Sequence, residues 1–129
     1  MEARRFAAVF GAVYVLVGLA GFVVTGLSDF AASSSDKLIL FGLNPLHNIV
    51  HLLVGAVWLI SSRSEQSARV VSAAIGAVYL LVGVAGLFIT GNSDLNLLNL
   101  NQPDNVLHLG SAVLALYFGL AGGRRAAMA

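Results

Sequence analysis

Phe10–Asp29 reads FGAVYVLVGLAGFVVTGLSD, and Ile75–Asp94 reads IGAVYLLVGVAGLFITGNSD; 13 of 20 positions are identical at a constant offset of 65. A second match follows each copy, Leu43–His51 as LNPLHNIVH and Leu100–His108 as LNQPDNVLH, at an offset of 57 because the second connecting loop is shorter by eight. A two-helix unit used twice is the expectation, with repeat one at about 6–62 and repeat two at about 70–123 of a single integral membrane domain, 1–129.

With 58% hydrophobic and only 10% charged residues, the chain has too few charges to clothe a water-soluble domain. Phe6–Ser28 and Val70–Ser93 carry no charge, and each is long enough to cross a hydrocarbon layer of roughly 30 Å as a helix. Pro45–Ile60 and Asn105–Gly122 are shorter, yet they too are chargeless and apolar. Closed barrels would also satisfy the backbone in lipid, but these runs are too long and continuous for alternating strands. The expected fold class is all-α: a polytopic membrane protein with four transmembrane helices. Two spans per copy give both copies the same orientation, so the duplication is parallel and a pseudo-two-fold four-helix bundle results.

Charge sets the topology. Arg4, Arg5, Arg63, Arg69, Arg124 and Arg125 fall on one side of the spans, whereas the opposite loops hold Asp29, Asp36, Asp94 and Asp104 against a single Lys37. The positive-inside rule places both termini in the cytoplasm. No arginine cluster exceeds two adjacent residues, so no nucleic-acid partner is expected. Phe6–Leu27 has the outline of a secretory signal, but its near-copy at Gly76–Asp94 cannot be a leader, and an uncleaved helix is the simpler reading. Cysteine is absent, which removes disulfides, thiolate metal sites and thiol nucleophiles.

Gly11, Tyr14, Gly18, Gly21 and Thr25 step by three or four residues along the first helix, and Gly76, Tyr79, Gly83, Gly86 and Thr90 repeat the pattern. Small residues at this spacing allow close helix approach in lipid, so Gly11, Gly18, Gly21, Gly76, Gly83 and Gly86 are read as packing residues. Clearance for a flat cofactor is the alternative use of the same stripe.

Polar residues collect toward the outer side: Thr25, Ser28, Asp29, Asn44, Asn48 and His51 in the first copy, and Thr90, Ser93, Asp94, Asn101, Asn105 and His108 in the second. Asn44 before Pro45 fits a helix N-cap followed by proline at the first helical position, and Asn101 or Gln102 before Pro103 repeats the idea. Asn48 and Asn105 are candidates for hydrogen bonds between helices, and His51 and His108 for bonds to Ser28, Asp29 or their counterparts. A sharper reading starts from two histidines at one depth on opposed helices. His51 and His108 could ligate a b-type haem, with Asn48 and Asn105 as a supporting polar pair and the glycines making room for the ring. A divalent metal held by His47, His51, Asp104 and His108 is a further option, His47 and His51 forming an i, i+4 pair; the replacement of His47 by Asp104 in the second copy would make that ligand set asymmetric.

No Gly-x-Ser-x-Gly elbow, His-Glu-x-x-His helix, Walker loop or dinucleotide fingerprint is present, and no enzymatic activity is expected. The loops SDFAASSSDKLILFGLN and NSDLNLLNLNQPDN alternate leucine with polar residues as short lids at the interface would, with Ala-Ser-Ser-Ser as a flexible connector.

The pattern Asn-Pro-x-His-Asn-x-x-His-x-x-x-Gly at Asn44–Gly55, its Asn-x-x-His echo at Asn105–His108 and the four short spans resemble the small bacterial membrane proteins grouped as domain-of-unknown-function family 4383. The likeness runs from Phe6 to about Gly119, and the second copy departs from the motif at Gln102, Asp104 and Ala112. It implies a bacterial inner-membrane protein and carries no activity. The expected function is accordingly that of a structural or accessory membrane protein, in contact with the lipid bilayer and with another membrane protein or a second copy of itself; a haem- or metal-binding protein using His51 and His108 is the alternative.

Overall fold

The computed structural model of the chain describes residues 2–90 and 94–127, with side chains up to residue 121. Ser93 and the side chains of Arg124 and Arg125 lie outside the described residues. The described chain is all-α: helices α1 (Glu2–Thr25), α2 (Pro45–Ser61), α3 (Glu65–Ile89) and α4 (Gln102–Ala127), with one two-residue ladder, β1 (Lys37–Leu38) and β2 (Phe41–Gly42), in the first long loop. The ladder is antiparallel, pairing Lys37 with Gly42 and Leu38 with Phe41, and Ile39 turns it at a φ of 61°. Three helices are long and apolar enough to cross a membrane, α1, α3 and the Gln102–Ala121 part of α4. At 17 residues α2 spans only about 25 Å.

Small residues decide which helices meet. The buried stripe of α1 includes Gly11, Tyr14, Gly18, Gly21 and Thr25, and that of α3 includes Gly76, Tyr79, Gly83 and Gly86. A methyl group at Gly11 would come within 2.8 Å of the Gly55 carbonyl oxygen, and one at Gly18 within 2.8 Å of the Leu52 side chain. Gly76 and Gly83 stand against Leu116 and Leu109 in the same way. As numbers rise along α1 they fall along α2, and likewise for α3 and α4, so the bundle is built of two close antiparallel pairs. Large apolar residues are left outside: Val23 is 88% exposed, Phe88 82% and Leu81 70%. This inverts the arrangement of a water-soluble bundle, whose apolar stripes face inward.

The arginine end is closed by side chains and by an aromatic core. Glu65 accepts from the Ala3 and Arg4 amides at 3.1 and 3.3 Å, capping the first turn of α1, and Arg4 Nε donates to the Ser62 carbonyl at 2.9 Å. Above it Phe6, Phe10, Phe118 and Trp58 pack together, and the Trp58 indole donates to Ser72 Oγ at 3.1 Å. Nearer the middle, the Tyr14 hydroxyl donates to Ser111 Oγ at 2.8 Å, tying α1 to α4, and the Tyr14 and Tyr79 rings meet edge-on.

At the other end the two long loops hold each other. Asn99 Nδ2 donates to the Leu43 carbonyl at 2.9 Å and the Ser34 carbonyl at 3.2 Å, while its Oδ1 accepts from the Ser34 amide. Asn44 Nδ2 donates to the Leu97 carbonyl at 2.8 Å, and Asn101 Nδ2 to the Leu40 carbonyl at 2.8 Å. The Ala-Ser-Ser-Ser stretch is therefore no free connector, because Ser34 is fastened to Asn99. Lid-like leucines divide into two sorts: Leu43 and Leu100 are buried beneath the loops, whereas Ile39, Leu40, Leu95 and Leu97 are exposed.

Candidate metal centre

The N-termini of α2 and α4 set the site. At α2, Asn44 is the N-cap, its Oδ1 accepting from the His47 amide at 2.9 Å, and Pro45 opens the helix with no amide proton to leave unpaired. At α4, Asn101 Oδ1 accepts from the Asp104 amide at 3.1 Å while Asp104 Oδ2 accepts from the Asn101 amide at 2.9 Å, a reciprocal capping box. His47 and Asp104 thus occupy the same third helical position, but only Asp104 turns back to close its own cap.

His47 turns inward instead and meets His51, one turn on, with ring centroids 4.4 Å apart; His108 comes from α4 to within 5.7 Å of His47 and 6.4 Å of His51. One nitrogen from each of the three rings can be chosen so that all lie within 4.8 Å of one another. The cluster is buried, the histidines being 1–2% exposed. Tyr14 closes against the His51 ring at 5.2 Å and Tyr79 against the His108 ring at 5.1 Å. His47 Nδ1 lies 3.1 Å from the Gly42 carbonyl oxygen, which can accept its proton and leave Nε2 with a lone pair. His47 Nε2, both nitrogens of His51 and His108 Nδ1 are buried without a hydrogen-bond partner in the protein. Three clustered rings with four unpartnered buried nitrogens between them are unusual, since such groups ordinarily cost about 1–3 kcal/mol each when unsatisfied.

The other sequence candidates fall around this cluster. Asp104 lies outside the three-histidine group; its Oδ2 also accepts from the Gly42 amide at 3.0 Å, so Gly42 stands between the carboxylate and His47. A side chain at Gly42 would run into the Asn99 carbonyl, which explains the glycine there. Asn48 and Asn105 do not bond to each other. Asn48 packs on Gly21 and donates to Thr25 Oγ1 at 2.9 Å, and Asn105 packs on Gly86 and donates to Gln102 Oε1 at 3.4 Å. Neither His51 nor His108 reaches Ser28 or Asp29, which are exposed beyond the end of α1. The space that the glycines would open for a macrocycle is filled by Leu52, Asn48, Leu109 and Asn105. The spacing of Ser111 and Asn99 carries no signal for the site, and that of Tyr14 and Tyr79 puts them in the packing stripe, where an aromatic among glycines is their one signal.

The sequence pattern of one protein family, Domain of unknown function (DUF4383), matches residues 4–121. The chain belongs to this family. DUF4383 membership thus covers all four helices and all three histidines. No curated protein and no solved structure matches the chain.

Proposed function

We propose that this DUF4383 protein is a four-span protein of the bacterial inner membrane that binds one transition-metal ion on His47, His51 and His108. The observation that carries the reading is the convergence of three buried imidazoles, each with at least one ring nitrogen that has no protein partner. Imidazole suits zinc, copper, iron and nickel, and with no cysteine in the chain the ion would be held by nitrogen alone. A tetrahedral ion with bonds of about 2.0–2.1 Å needs its nitrogens roughly 3.3 Å apart, so the rings would close in by an ångström or so on binding. His47 already has the outer support that metal-bound histidines use, a carbonyl accepting its other ring proton. Three imidazoles leave a fourth position for another ligand.

The geometry favours an ion over haem. A porphyrin would need a flat slot between His51 and His108, and His47 stands within ring contact of both. The parallel repeat supplies the scaffold: two equivalent helix pairs, related by an axis along the membrane normal, present one histidine each from matching positions, and His47 is the addition that makes the site asymmetric. Arginines at one end of the bundle support cytoplasmic termini, which puts the cluster in the outer half of the membrane. Little polypeptide lies outside the spans, so the protein acts as an accessory subunit whose contacts are made in the bilayer, with another membrane protein or a second copy.

Cobalt titration of detergent-purified protein tests the site. The expected result is the visible absorption of tetrahedral nitrogen-ligated cobalt at about one equivalent, abolished in His47→Gln, His51→Gln and His108→Gln and retained in Asp104→Asn with affinity reduced by roughly tenfold. A spectrum unchanged by the three histidine substitutions would overturn the assignment. A Soret band in protein expressed with adequate haem, lost on replacing His51 or His108, would favour haem instead.

A further inference from the structure

At the arginine end of the bundle, opposite the histidines, a pocket of about 360 Å³ lies where α1 begins and α2 ends, lined by Arg4, Arg5, Ala8 and Ser62. Arg4 Nε donates to the Ser62 carbonyl at 2.9 Å, which holds the guanidinium over the C-terminus of α2 and leaves its two terminal nitrogens without a partner among the described residues. The Ser62 hydroxyl is spent on the Leu59 carbonyl at 2.7 Å, so the donors that the pocket offers are the guanidinium N–H groups. No carboxylate lines it. Glu65 is turned to the Ala3 and Arg4 amides, so the first turn of α1 is already capped and the attraction for an anion comes from the two side chains rather than from the helix end.

We infer that this pocket seats the phosphate of an anionic phospholipid between the Arg4 and Arg5 guanidinium groups, with the acyl chains laid along α1. Two positive charges and no negative one select an anion, and the planar fork of a guanidinium matches the two free oxygens of a phosphodiester. The neighbouring surface selects a lipid over a free ion. Arg5, Val9, Val13 and Leu16 follow one another by four, four and three residues, so they share a face of α1, and all three apolar side chains are exposed. A ligand with a negative head and apolar chains covers the arginines and this stripe together, whereas inorganic phosphate covers only the arginines. A choline head would bring a third positive charge to the pair, which favours an anionic lipid over a zwitterionic one. Basic pockets at the ends of membrane helices hold lipid head groups in this way. The volume equals that of roughly twelve waters at about 30 Å³ each, room for a phosphodiester and the glycerol joined to it. Bound there, the lipid bridges the start of α1 and the end of α2. The pocket shares no residue with the histidine cluster, so the proposal stands or falls apart from the metal site.

Native mass spectrometry of the full chain in a mild non-ionic detergent, titrated with dioleoylphosphatidylglycerol or dioleoylphosphatidylcholine, reads the bound lipid directly. One tightly held phosphatidylglycerol per chain is expected, bound at least about tenfold more strongly than phosphatidylcholine. Arg4→Gln and Arg5→Gln should each weaken it by about fivefold or more, and Arg63→Gln, at the same end but outside the pocket, by less than about twofold. Arg4→Gln also loses the bond to Ser62, whereas Arg5→Gln breaks no hydrogen bond described within the fold and so reads the pocket even where the first variant unfolds. Equal retention of the two lipids, or an equal loss in Arg63→Gln, would report only the general charge of this end and overturn the proposal. Release of phosphatidylglycerol by millimolar inorganic phosphate would show a site for a free anion and overturn it too.

Discussion

Gly21 and Asn48, with their counterparts Gly86 and Asn105, put the tightest contacts of the bundle at the level of the histidines. Each asparagine amide lies where a methyl group on the facing glycine would be, so Gly21→Ala displaces Asn48 from Thr25 and pushes α1 off α2 beside His51. Overpacking of this kind costs about 1–3 kcal/mol. A lower midpoint of thermal unfolding in detergent for Gly21→Ala and Gly86→Ala, with little change for Gly110→Ala, where a methyl group meets nothing within 4 Å, is the expected outcome. Trp58→Phe keeps the aromatic packing but strips Ser72 of its indole donor; a loss of about 1 kcal/mol in the same measurement is expected. The pairing of His47 with Asp104 in the repeat shows how far residue types go. Both stand three residues after a capping asparagine, and spacing alone allowed both to face one ion. Asp104 differs because a carboxylate accepts from the Asn101 and Gly42 amides, whereas an imidazole at that position has a ring long enough to reach His51 and His108.

At the scale of elements, α2 depends on its start. Asn44 caps the helix and also ties Ala32 and Leu97 to it, so Asn44→Ala costs the cap, about 1 kcal/mol, and loosens both loops. Asn99→Ala cuts the bonds to Ser34 and Leu43. Faster amide hydrogen exchange across residues 32–43 in both variants, with exchange within α1 and α3 unchanged, would confirm that the loops form one cap. The helices, the glycine stripes and the asparagine caps were legible from periodicity and from Asn-Pro, because those signals are local. The cap itself was not. Its bonds run between loops more than fifty residues apart, and the β1–β2 ladder is only two residues a strand, held by Leu43 and Asp104 rather than by strand propensity. The third histidine was legible as half of an i, i+4 pair, but which residues it meets depends on how α2 and α4 cross.

At the scale of the molecule, the distribution of charge and the exposed aliphatic belt make a claim about placement. The chain has no cysteine, so single cysteines report topology without background. Ser33→Cys, in the first long loop, should react with a membrane-impermeant maleimide added to intact spheroplasts, and Arg63→Cys, in the short α2–α3 link, only after lysis. The reverse pattern would place the histidine cluster on the cytoplasmic side. An ion held within the bundle by three imidazoles should persist through purification, so the decisive measurement is the metal content of protein taken from its own membrane without added metal. About one first-row transition-metal ion per chain is expected by mass spectrometry of the metals, lost in each of His47→Gln, His51→Gln and His108→Gln and kept in Asp104→Asn. Metal at trace level in the wild type, or a content indifferent to all three histidines, would contradict it.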